Sequence, residues 1–129
     1  MKITSFNPLI VTPEPEKLAQ LFEAMGFERK HNIKNAGNDE ANICDIRMSD
    51  PNGFHVDIAS TANTKQDLTI IRMNVDDFDE AYNFLISKGF THPSGTFVEN
   101  SYSKSTLMKA PSGFGFDLCH HKREHDQKV

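Results

Sequence analysis

The chain has 129 residues, 37% of them apolar, enough for one ordinary core without staples. Its 14 Lys and Arg against 18 Asp and Glu leave a formal charge of −4, with both signs interspersed, so neither a nucleic-acid face nor a polybasic membrane patch is expected. The apolar runs are too short to span a bilayer, the first residues lack a signal-peptide pattern, and Cys44 and Cys119 form no CxxC, so a reducing cytoplasm is the expected location.

Taken in order, Ile3–Val11 reads as a strand. Thr12-Pro13-Glu14 reads as a helix start, with a hydroxyl cap, Pro at the first helical position and an acid facing the dipole. Leu18, Leu21, Phe22 and Met25 recur at helical spacing and predict one apolar face, closed by Gly26. Strands are expected at Phe27–Ile33, Asn42–Met48 and Phe54–Ser60, with a loop over Asn35–Glu40 and a tight turn at Asp50-Pro51-Asn52-Gly53. Thr61–Asp67 is a polar linker. Leu68–Val75 then reads as a strand, and Asp76 or Asp77 caps a helix with Phe78, Ala81, Tyr82 and Leu85 on its apolar stripe, ended by Gly89. Strands follow at Phe90–Val98, Lys104–Ala110 and Phe114–His121, then a charged tail from Lys122.

This order is a repeat. Gly89 lies 63 positions after Gly26, each followed by Phe, and Gly113 lies 60 after Gly53, each in a Pro-x-Gly-Phe turn. Two related units of about sixty residues are expected, roughly 1–61 and 67–121, within one domain. Phe22, Met25, Phe54, Phe84, Leu85, Phe114 and Phe116 are expected in the core.

Strand alternation sorts the polar residues. On the last strand, Asp117, Cys119 and His121 share the face opposite Phe114, Phe116 and Leu118. In the first unit His55 and Asp57 lie opposite Val56 and Ile58. Ile70, Arg72 and Asn74 share a face of their strand. His120 and His121 point to opposite faces, so both cannot serve one site. The cysteines read as small core or cavity fillers; a nucleophilic thiol needs a neighbouring base, and His121 on the face of Cys119 is the one hint of such a base. The chain contains no GxSxG, GxGxxG or P-loop.

"LAQLFEAMGF", "DPNGFHVDIA" and the doubled βαβββ order resemble the vicinal oxygen chelate superfamily over about residues 3–120. That superfamily holds glyoxalases, bleomycin-resistance proteins and extradiol dioxygenases. The resemblance implies an α+β fold in which two βαβββ units build a mixed, curled sheet forming a cup, with helices outside. It also implies a two-fold homodimer. It places the metal-ligand positions at Asn7, Asp57, Ile70 and Asp117. Ile70 has no donor atom, Asn7 is a weak neutral ligand, and no imidazole is present, so no tightly bound cofactor is expected. Any metal would be a weakly bound divalent ion on Asn7, Asp57 and Asp117.

Asn7, Asp57, Ile70, Arg72, Asp117, Cys119 and His121 are therefore expected to line a ligand site. Arg72 would be its only fixed positive charge and would favour an anionic or polar small molecule, unless it merely neutralises the two acids. Three readings stand at this point. They are a metal-independent binding protein resembling bleomycin-resistance proteins, a glyoxalase I-like metal-dependent lyase, isomerase or dioxygenase, and a non-catalytic assembly protein.

Overall fold

The computed structural model describes residues 1–34, 44–60 and 65–122, and only the backbone of 31–34 and 44. Elements follow in the order β1 (Ile3–Val11), α1 (Pro15–Ala24), β2 (Glu28–Lys34), β3 (Cys44–Ser49), β4 (His55–Ser60), β5 (Leu68–Val75), α2 (Phe78–Ser87), β6 (Val98–Glu99), β7 (Ser103–Lys109) and β8 (Gly115–His121). None of the described helices is long and apolar enough to cross a membrane. The expected loop at Asn35–Glu40, the first residues of the strand expected from Asn42, positions 61–64 of the linker and the tail beyond Lys122 lie outside the described residues.

The chain divides into two compact units: an N-terminal unit comprising Asn7–Ile70, and a C-terminal unit comprising Ile71 onward together with Met1–Phe6.

In the N-terminal unit the strand order is β2-β3-β4-β1, with β1 and β4 parallel and the other pairs antiparallel. Ile46, Met48, Val56 and Ile58 point to one face and bury Ala19 of α1, with Leu18, Phe22 and Phe27 packed around them. The helix begins two residues later than expected, with Pro15 rather than Pro13 in its first turn. The Thr12 hydroxyl does not cap the helix. It accepts from the Glu14 N–H at 3.1 Å and closes the turn that leads into it. Arg29 on β2 ties back to α1 through Glu16 and Glu23, whose carboxylates raise its pKa still further.

In the C-terminal unit the order is β5-β8-β7-β6, with β5 and β8 parallel. Val75, Phe78, Ala81, Met108, Phe116 and Leu118 form its core, joined by Tyr82 and Leu85. Asp77 caps α2 by accepting from the Glu80 N–H at 3.1 Å. Met1–Phe6 belongs to this unit: the Met1 amine pairs with Glu80, and the Lys2 N–H donates to the Asp76 carboxylate. That last bond holds the Asp76 pKa below its ordinary value. Gly89 ends α2 at φ +92°, where a Cβ would also come within 3.3 Å of Pro111 Cγ, so the position is closed to larger residues on two counts.

Two expectations are corrected. The strand expected at Phe90–Val98 shrinks to Val98–Glu99 plus an isolated bridge of Thr91 with Lys109. Pro93 has no N–H to donate to a ladder, and Gly95 folds the chain into a turn by donating to the His92 carbonyl. The segment is held instead by rings, with Phe97 edge-on to Phe78 and Tyr82, and His92 Nε2 donating to the Thr96 carbonyl. The second correction concerns the core. Phe116 is buried, and Phe22 and Leu85 pack at its margins, but Met25, Phe54, Phe84 and Phe114 are exposed. Met25 stands at the helix end. Phe54 and Phe114 each precede their strand by one residue, at the mouth of a turn.

Candidate functional site

Each unit buries one sheet face under its helix, which leaves the polar alternates on the other face. In the C-terminal unit that face is built on the parallel register of β5 and β8. Arg72 stands beside Asp117 and Asn74 beside Cys119. The antiparallel partner β7 sets Leu107 against Asp117, Ser105 against Cys119 and Ser103 against His121. Arg72 Nε donates to Asp117 Oδ2 at 2.7 Å, with the two residues only 7% and 8% exposed. Two charges this buried are tolerable because they compensate each other; removing either would take the ion-pair partner from a buried charge. Asn74 is buried and its Nδ2 donates to Ser5 Oγ at 2.6 Å. Cys119 is buried, and His121 is half-buried. His120, on the opposite face as its parity requires, donates through Nδ1 to the Val75 carbonyl at 2.8 Å.

In the N-terminal unit the parallel register sets Leu9 of β1 beside Asp57 of β4, and the antiparallel register sets Arg47 of β3 on the other side. Asp57 is 2% exposed, and Arg47 Nε lies 3.8 Å from its Oδ1, close enough for an ion pair but beyond a hydrogen bond. Asn7 is buried and spends its Nδ2 on the neighbouring Pro8 carbonyl. Ile70 is half-buried, and His55 is exposed.

The structure thus gathers Arg72, Asn74, Asp117, Cys119 and His121 on one face of the C-terminal unit. It gathers Asn7, Leu9, Arg47 and Asp57 on one face of the N-terminal unit. Arg47 is the residue that sequence reasoning missed, and with it Arg72 loses its place as the only positive charge near these acids. The signal was there: Arg47 alternates with Ile46 and Met48, so it had to face away from the helix.

The four positions that the resemblance marks for metal make a poor donor set. Ile70 offers no donor, Asn7 could offer only a neutral amide oxygen, and each aspartate lies against a guanidinium. A cation brought to either carboxylate would compete with that arginine. Among the described residues, no three His, Cys, Asp or Glu side chains come together as a metal cluster. These residues do not fit the metal centre of the resemblance.

No family model matches the chain, and no curated protein matches it in sequence. Solved structures do match. A glyoxalase/bleomycin resistance protein/dioxygenase superfamily member from Vibrio splendidus 12B01 is similar over 90% of this chain and 97% of its own, at 13% identity and a TM-score of 0.54. A variant of Streptomyces coelicolor methylmalonyl-CoA epimerase, in complex with 2-nitronate-propionyl-CoA, is similar over 92% and 98%, at 14% identity and 0.56. A protein from Staphylococcus aureus is similar over 95% and 100%, at 12% identity and 0.57. At such identities the likeness carries fold, not activity. The chain has the α+β fold of the vicinal oxygen chelate superfamily, built of two βαβββ units.

Proposed function

We propose that this chain is a metal-independent binding protein for a small polar molecule, in the manner of the bleomycin-resistance branch it resembles. One observation carries the reading: at both last-strand metal positions, Asp57 and Asp117, the carboxylate faces an arginine rather than further metal donors. A carboxylate so compensated is a poor metal ligand, because an incoming cation would have to displace the guanidinium that already neutralises it. What remains on these faces is recognition chemistry: guanidinium, amide, hydroxyl and thiol groups around apolar Leu9 and Leu107. Arg72 is already matched by Asp117, so the face adds little net charge, and a polar ligand suits it better than a strong anion.

The homodimer implied by the same resemblance is part of this proposal. Sedimentation as a dimer at micromolar concentration supports it, and a monomer throughout that range rejects it. The binding reading is tested by thermal shift of EDTA-treated protein against a panel of small alcohols, amides and hydroxy acids. Stabilisation by a panel member, unchanged when divalent metal is restored, is expected. Stabilisation that appears only with metal would overturn it.

A further inference from the structure

The side-chain carbonyl of Asn74, in the C-terminal unit, is a buried polar atom with no hydrogen-bond partner among the described residues. Asn74 is 5% exposed. Its nitrogen is taken by Ser5 Oγ at 2.6 Å, and its Oδ1 accepts no hydrogen bond from the described residues. Leaving such an acceptor unsatisfied costs about 1–3 kcal/mol, and folded proteins keep few of them. The Ser5 bond accounts for the amide nitrogen of this residue but leaves its carbonyl without a use. The atom stands among polar groups: Arg72 is two residues earlier on the same face of β5, Cys119 is its register partner on β8, and Ser105 faces Cys119 from β7.

We propose that Asn74 is a specificity-determining residue, whose Oδ1 accepts a hydrogen bond from an N–H or O–H group of the ligand. This rests on the reading of that face as a small-molecule site, and it deepens it. The molecule recognised there is a hydrogen-bond donor, an amide or an alcohol, and a molecule with acceptors alone leaves the carbonyl orphaned. A site built around a buried polar atom discriminates strongly against analogues that cannot pair with it.

The test uses the full chain, isotope-labelled, with acetamide and N,N-dimethylacetamide as probes followed by amide chemical shifts. Both probes have a carbonyl; only acetamide can donate. Acetamide should move the Asn74 side-chain and Cys119 backbone signals saturably and bind about two- to tenfold more tightly than its dimethyl analogue, the difference one hydrogen bond makes. Asn74→Leu should remove that preference. Equal binding of the two amides overturns the inference and leaves the binding reading standing, as does a preference that survives in Asn74→Leu. If neither amide moves any signal on this face, the inference and the reading it rests on both fall. The comparison of probes on the unaltered chain decides the matter even if the variant does not fold.

Discussion

The two units set an aspartate at the same place in the same architecture and compensate it from opposite sides. In the N-terminal unit Asp57 lies between Leu9 on the parallel neighbour and Arg47 on the antiparallel one. In the C-terminal unit the order is reversed: Arg72 is on the parallel neighbour and Leu107 on the antiparallel one. The pairs also differ in closure. Arg72 and Asp117 are hydrogen-bonded and buried at both ends, whereas Arg47 keeps 32% of its side chain exposed and stands 3.8 Å from Asp57. The lesson is that a buried carboxylate requires a cation but does not specify the strand that supplies it. Duplication fixed the acid, and each unit answers it separately.

The comparison breaks first at the buried pair. Arg72→Ala removes the ion-pair partner of Asp117 in a dry site and should cost about 3–5 kcal/mol in urea unfolding, whereas Arg47→Ala should cost less, because that pair is looser at 3.8 Å and Arg47 is partly solvated, although Asp57 itself is buried. Equal losses would mean that closure does not matter. A comparable loss of ~3–5 kcal/mol is expected for Phe116→Ala, against less than about 1 kcal/mol for Phe114→Ala, because only the first ring is in the core.

Transplanting one unit's arrangement into the other sharpens the point. Arg72→Leu combined with Leu107→Arg puts the N-terminal order around Asp117. The double variant should recover about 1–2 kcal/mol of the loss in Arg72→Leu alone, a coupling expected of side chains that share a partner. Strict additivity of the two changes would show that the reversal is accidental.

The helix starts give a smaller contrast. Asp77→Ala should cost about 1 kcal/mol because it removes a side-chain cap, and Glu14→Ala should cost far less because α1 has none. The smallest effect is at Asp76. Its pKa is lowered in the folded chain, so its contribution is present above its ordinary value of 3.8 and is lost as pH falls through the lower, folded value. Asp76→Asn should flatten the acid limb of the stability curve slightly; a steeper limb would reverse the sign.

Most of this fold was legible because its landmarks are local: glycines after helices, Pro-x-Gly turns, and alternation along strands. The β6 strand was not, because apolar spacing over Phe90–Val98 looks like a strand until the His92–Thr96 turn and its ring contacts are in place. The start of α1 was displaced because Pro13 and Pro15 both suit a first turn, and Glu14, as the residue before a proline, is kept out of the helical region at φ −127°, so that the helix begins at Pro15. At the site, alternation placed Arg72 and Asp117 on faces, but their bond depended on the parallel register of β5 with β8. Arg47 differs: its alternation with Ile46 and Met48 already put it on that face, and only its pairing with Asp57 waited on the register of β3 with β4.

Whether these carboxylates answer to arginines or to a metal is decided by elemental analysis of the purified protein after dialysis against EDTA and then against metal-supplemented buffer. Far less than one equivalent of zinc, iron, manganese or nickel per chain is expected at both stages, with an unchanged melting temperature. One equivalent per chain that survives EDTA and raises the melting temperature would contradict that expectation.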